Sequence, residues 1–188
     1  MARARSSEKR KAILEAAVRE IAQVGLGAAT AKIAARADVA TGTLFTYFAT
    51  KEELLNELYS ELKLEVYARI NTDFPHKGSL EQRARHVWMS FLDWAIESPE
   101  KWKVSVQLNV SDVITTETRA RTAGERGAVD KTLADLQKSE GLRALPKGFC
   151  AATMLAMQEA TMEFVAKQPR KRKELTENAF ALFWRAVS

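Results

Sequence analysis

The sequence predicts an all-α protein built of two modules. Apolar residues recur at helical spacing from end to end, and helix-start signatures stand at Thr50, Ser79 and Ser98. One segment alone, Val104, Val106, Leu108 and Val110, alternates as a strand does. It is read as helix, because Trp102, Val106, Val110 and Val113 also fit helical spacing and a single strand would leave its backbone groups without a partner.

The elements follow in order. Ile13, Leu14, Ala17, Val18, Ile21 and Val24 mark one face of a helix from Ser7, and Gly25 stops it. Thr30 is expected to cap a short helix through Ala37 with Ile33 and Ala34 inside. Asp38 and Val39 make a tight connection, since Asp tolerates the left-handed conformation such a turn needs. Thr41 to Phe48 reads as a third short helix that buries Leu44 and Phe48, with Thr41 available as its cap. Thr50 and Glu53 form a capping box at the head of a long helix ending near Asn71. A second capping box, Ser79 and Gln82, opens a helix whose apolar residues, including Trp88 and Trp94, cover an arc of roughly 200°, more than one packing partner needs. Ser98, Pro99 and Glu100 supply a cap, a proline at the first helical position and an acid in the first turn. Thr115 to Ser139 is polar and reads as one long, exposed helix. Pro146 opens a run through Lys167, Pro169 marks a corner, and Arg170 to Val187 forms the last helix, giving about nine in all.

Composition narrows the function. The 188 residues are 46% apolar and 28% charged, with eight Gly, four Pro and one Cys, which excludes a collagen-like, low-complexity or disulfide-held chain. No stretch reaches the roughly 18 uninterrupted apolar residues of a membrane span, and the basic N-terminus does not lead into an apolar signal core. A soluble, cytoplasmic protein without a membrane partner is expected. The net charge of +5 lies entirely in residues 1–51, where nine Lys and Arg, Arg3 and Arg5 among them, face four acids. The rest of the chain is neutral. That asymmetry suits a basic module that meets a polyanion, joined to a neutral module with a different task.

Residues 8–48 have the organisation of a three-helix unit containing a helix-turn-helix, whose second helix lies in the DNA major groove. With Leu44 and Phe48 buried, the third helix presents Thr41, Gly42, Thr43, Phe45, Thr46 and Tyr47, and Lys51 follows in the first turn of the next helix, where its ammonium and the helix N-terminus can share a phosphate.

Thr30 to Leu55 resembles the signature of the TetR family of one-component transcriptional regulators: a Thr before the first short helix, Ile-Ala-Ala, Val39, Gly42-Thr-Leu, an aromatic at 45, Tyr47-Phe48 and Lys51-Glu-Glu-Leu-Leu55, in order and spacing. Three positions depart from the pattern. Asp38 stands where Gly is usual, Ala40 where Ser or Thr often caps, and Phe45 where Tyr is commoner. The resemblance implies that Thr43, Tyr47 and Lys51 contact phosphates, that Thr41, Gly42, Phe45 and Thr46 face bases, and that Thr30 caps a helix beside the DNA backbone. It further implies a DNA-binding domain over 1–52, an effector-binding and dimerisation domain over 53–188, a palindromic operator on double-stranded DNA, and release by a small apolar or aromatic effector.

Within the second module, Trp88, Met89, Phe91, Leu92, Trp102, Met154 and Met157 are candidates for an apolar effector pocket, though residues of these types also build plain cores. Gln107, Asn109, Gln158 and Glu159 lie among apolar neighbours, where they could orient a ligand or face water. The last two helices carry surplus apolar surface, and Phe164, Leu175, Ala179, Leu182 and Phe183 are candidates for a homodimer seam. Nothing points to an enzyme, a metal or a cofactor: His76, His86 and Cys150 lack mutual helical pairing, and no Gly-rich phosphate loop is present. Two other readings stand beside the regulator with an effector. In one, the second module binds a protein and no ligand; in the other, the chain is a small helical enzyme with a basic end.

Overall fold

The structure, a computed structural model, describes residues 2–188, with side chains described from Ser7 onward. The side chains of Arg3 and Arg5 therefore lie outside the described residues. Ten α-helices and no strand are found among those described: α1 (Ala2–Val24), α2 (Thr30–Arg36), α3 (Thr41–Tyr47), α4 (Lys51–Asn71), α5 (Leu80–Glu97), α6 (Pro99–Asn109), α7 (Thr116–Ala123), α8 (Ala128–Leu136), α9 (Phe149–Lys167) and α10 (Arg172–Val187), with a 3-10 turn at Pro169–Lys171. The all-α expectation holds, and the alternating valines of α6 are helical.

The Ser79 box forms in full, and at Thr50 the returning carboxylate takes the N–H one residue earlier. Glu53 N–H donates to Thr50 Oγ1 at 3.1 Å while the Glu53 carboxylate accepts from Ala49 N–H at 2.7 Å. Ser79 and Gln82 exchange bonds of 2.8 and 3.2 Å. Asp38 takes the left-handed conformation expected of the turn, with φ of 54°. Two caps do not form: Ala29 and Ala40 occupy the N-cap positions of α2 and α3 without a side-chain bond, so Thr30 and Thr41 are first helical residues, one place too late for their hydroxyls to cap.

The expected single helix over 115–139 is two. Gly124 ends α7 and Gly127, at φ of 40°, cannot continue a right-handed helix, so α8 starts afresh at Ala128. This segment is also less exposed than its polarity suggests. Thr118, Thr122, Thr132 and Leu136 are buried, the threonine hydroxyls of 122 and 132 bonding to carbonyls one turn back.

Packing divides the chain into two compact units. One comprises the residues up to Glu65 together with Ser98–Gly124; the other comprises Val66–Glu97 and Glu125–Ser188. In the first, Ile13, Ala17, Ile21, Ile33, Leu44, Phe48, Leu54, Leu58, Val104 and Leu108 are buried. Polar ties fix its helices: Arg36 Nε bonds Glu20 Oε1 at 2.5 Å, joining α2 to α1, and Lys103 Nζ bonds the Ala22 carbonyl at 2.5 Å, joining α6 to α1. Arg10 on α1 reaches Glu57 at 2.6 Å and Glu61 at 2.8 Å on α4, with its guanidinium over the Phe48 ring. Asn56 on α4 bonds the backbone of Val113 and Thr115.

In the second unit Trp88 is completely buried. It stacks on Phe183 with centroids 5.4 Å apart, and its indole Nε1 donates to the Thr176 carbonyl at 3.3 Å. Gln158, buried in α9, donates to the Trp88 carbonyl at 3.4 Å, so it does not face water. The end of α4 is tied here to α5 by paired bonds of 2.9 and 2.8 Å from Arg69 to Glu97, and by His86 Nε2 at 2.8 Å from the Ile70 carbonyl. Helix α4 contributes its residues up to Glu65 to the first unit and those from Val66 to the second. Within these packing units α6 and α7 go with the N-terminal helices.

Candidate nucleic-acid interface

The helix-turn-helix is α2, the Asp38 turn and α3. Leu44 and Phe48 hold α3 in place by complete burial, which turns Thr41, Gly42, Phe45 and Thr46 outward as exposed residues and leaves Thr43 and Tyr47 half-buried at the sides. Phe45, at 41% exposure, is a large apolar side chain left in water on a polar surface. A Cβ at Gly42 would meet nothing within 4 Å, so this position offers open backbone to an incoming surface. Thr46 Oγ1 donates to the Gly42 carbonyl at 3.1 Å. Six of the residues that the resemblance assigns to DNA, Thr41, Gly42, Thr43, Phe45, Thr46 and Tyr47, therefore lie on one face of α3 and its edges, while Thr30 opens α2 and Lys51 opens α4.

Lys51 opens α4 and is half-buried. The expected sharing of a phosphate between its ammonium and the α4 N-terminus meets competition. Glu53 N–H already donates to Thr50, Glu53 takes the Ala49 N–H, and the Glu52 carboxyl is held below its ordinary value by its own backbone N–H, then by the Thr50 hydroxyl and by Lys51. The helix end is thus occupied by the chain's own acids, so the Lys51 ammonium stands there without free backbone donors of Ala49 and Glu53 beside it.

The seven residues expected to line an effector pocket are not gathered in one place. Trp88, Leu92 and Met154 are core, at 0%, 1% and 4% exposure. Phe91 lies against Trp94, Met89 borders a shallow depression with Arg85 and His86, and Met157 belongs to a groove between α9 and α10. Trp102 is on α6 in the first unit, its Nε1 buried without an acceptor among the described residues. The physical reason is that Trp88, Leu92 and Met154 fill the core between helices while the other four sit on different faces and elements.

The second unit instead has a cavity of about 590 Å³ bounded by Arg126, by Asp130, Leu133, Ala134 and Gln137 of α8, by Lys147 and Gly148, and by Cys150 and Ala151 at the start of α9. That size lies within the range of small-molecule sites. Burial pushes the Cys150 thiol up to about 11, so it is an inert apolar wall. Reading 115–139 as a single exposed helix hid this site; the signal was present in the Gly124 and Gly127 break and in Val129, Leu133 and Leu136 at helical spacing beyond it.

Of the seam candidates, Phe164, Leu175, Ala179 and Leu182 line one apolar groove of about 410 Å³ with Met157 and Ala160. Phe164 and Leu182 are 51% and 54% exposed. Phe149, Ala152, Ala156 and Ala160 continue the exposed stripe along α9. Phe183 is not part of it. It is completely buried against Trp88, because its place on α10 faces α5.

No helix among the described residues is long and apolar enough to cross a membrane, and they hold no cluster of three metal-ligating side chains. The profile for bacterial regulatory proteins of the tetR family matches residues 13–58. Over 62 residues, 32% of each chain, the sequence is 40% identical to the HTH-type transcriptional regulator YhgD of Bacillus subtilis (strain 168). A TetR family transcription regulator from Shewanella sp. PV-4 superposes with a TM-score of 0.82 at 28% identity, covering 95% of this chain and 97% of its own. Another, from Marinobacter aquaeolei VT8, gives 0.83 at 26%, covering 98% of both. The matched family is one of bacterial regulatory proteins rather than of enzymes. The helix-turn-helix thus lies in the region that matches the tetR family, and nearly the whole chain shares the fold of transcription regulators of that family.

Proposed function

We propose that the chain is a cytoplasmic repressor that binds a palindromic operator as a homodimer and leaves it when a small effector with an apolar or aromatic body occupies the second unit. Residues 1–52 bind DNA in this reading, and residues 53–188 bind effector and partner. The observation that carries it is the outward face of α3, where Thr41, Gly42, Phe45 and Thr46 are exposed over a buried Leu44 and Phe48. Thr43, Tyr47 and Lys51 flank that face as phosphate contacts, with Thr30 at the start of α2 beside them.

The exposed apolar groove of α9 and α10 supports the dimer. A helix-turn-helix dimer reads half-sites about 34–36 Å apart, which requires one symmetric body to hold both readers. The cavity beside α8 supports the effector, its wall of Leu133, Ala134, Cys150 and Ala151 meeting an apolar body while Arg126, Asp130 and Lys147 meet a polar group. Selection of bound duplexes from random DNA tests the first claim. An enriched sequence with twofold symmetry is expected, and recovery of no sequence above background overturns it. A thermal-shift screen of apolar and aromatic compounds tests the second, because a ligand of the native state raises its apparent stability.

A further inference from the structure

Base pairs display four kinds of group in the major groove: ring-nitrogen and carbonyl acceptors, amino donors and the thymine C5-methyl. The protein groups that read them differ accordingly. Arg and Lys pair with guanine, Asn and Gln with adenine, carboxylates accept from cytosine, and apolar side chains meet the thymine methyl. Helix α3, Thr41–Tyr47, contains no Arg, Lys, Asn, Gln, Asp or Glu. The neighbouring Arg36 of α2 is engaged by Glu20 at 2.5 Å.

What the face does present is specific. Phe45 offers an exposed aromatic ring with no polar atom. Thr46 has committed its hydroxyl hydrogen to the Gly42 carbonyl, so toward DNA it offers oxygen lone pairs and a methyl group. Such a face can accept from an adenine amino group and can pack on a thymine methyl, both of which one A·T pair supplies. A G·C pair also supplies an amino donor, from cytosine, but it has no methyl for Phe45 and sets two guanine acceptors against the ring, at the cost of their desolvation.

We propose that α3 reads its operator through thymine methyl groups, with Phe45 as the principal reader and Thr46 as the acceptor and second apolar contact. This rests on the DNA-binding reading above. It makes the bases under α3 A·T pairs whose recognition depends on a single carbon atom each.

The test replaces thymine by uracil, one position at a time, in an operator obtained by selection, and measures affinity by titration. Uracil keeps every hydrogen-bonding group and loses only the methyl. At one or more positions in each half-site the replacement is expected to weaken wild-type binding about fourfold, the worth of one buried methylene. In Phe45→Ala, whose fold is checked by its thermal melt, thymine and uracil operators are expected to bind alike. A uracil series without effect on the wild type overturns the inference and leaves DNA binding intact. An equal loss in wild type and Phe45→Ala also overturns it, since the methyl would then act through DNA shape. If selection enriches no sequence, the DNA-binding reading itself falls.

Discussion

Arg126, on the wall of the cavity, donates from Nε to the hydroxyl of Tyr67 on α4 at 3.1 Å. Tyr67 is buried, and the helix that carries it begins at Lys51. In the proposed function, a molecule that draws Arg126 toward itself acts through Tyr67 on the helix that also carries Lys51. Coupling between sites of 1–3 kcal/mol is usual, and corresponds to a change in operator affinity of about 5- to 150-fold. Tyr67→Phe keeps the ring and removes the acceptor. It is expected to leave operator affinity without effector near that of the wild type while bringing the ratio with and without a thermal-shift ligand toward one. An unchanged ratio, measured by fluorescence anisotropy on labelled operator, would show that the coupling takes another route.

Lys51→Ala is expected to weaken binding to all DNA sequences alike. Because one phosphate contact is lost, the slope of log K against log salt concentration becomes shallower by about one unit. Altered base preference at an unchanged slope would assign Lys51 a different role.

Phe164 and Phe183 separate the seam from the core. Phe164→Glu places a carboxylate in the exposed α9 and α10 groove, so it is expected to give folded monomers by sedimentation with little operator affinity. Phe183→Ala, beneath Trp88, is expected to cost about 3–5 kcal/mol in chemical denaturation. A dimeric Phe164→Glu would remove the groove from the interface.

Acid should loosen the second unit through α8. The Asp135 carboxyl is held below its usual value of 3.8 by hydrogen bonds from Lys138 and then Arg83. A depressed value means that the unfolded chain takes up the proton first as pH falls. The stabilisation is complete above 3.8 and is lost as pH drops through the folded-state value. Asp135→Asn is expected to be less stable at neutral pH and to show a flatter decline below pH 4 in thermal melts. A decline as steep as the wild type's would place the acid sensitivity elsewhere.

How far the sequence spoke depends on the kind of signal. Local chemistry was legible: Asp38 in its left-handed turn, the Thr50 and Ser79 boxes and the burial of Leu44 under α3 each follow from residues a few positions apart. Capping by Thr30 and Thr41 was missed by one residue, since hydroxyls adjacent to a helix start look alike in sequence and only the backbone says which is the cap. The pocket residues were illegible for another reason. An apolar residue on a helix face is equally suited to a cavity wall and a filled core, and only the arrangement of α5, α9 and α10 around Trp88 decides. The cavity beside α8 depended on a break at Gly127 that polar composition masked.

The ties of Arg36 to Glu20 and of Arg10 to Glu57 and Glu61 also set the thermodynamic signature of DNA docking. They hold α1, α2 and α4 to one another before any ligand arrives, and Arg10 covers Phe48 at the end of α3. A reader already assembled has little order left to acquire, so association bears a small conformational-entropy penalty. Its heat-capacity change should then correspond to the apolar area hidden at the interface alone, without the large negative increment that marks folding coupled to binding.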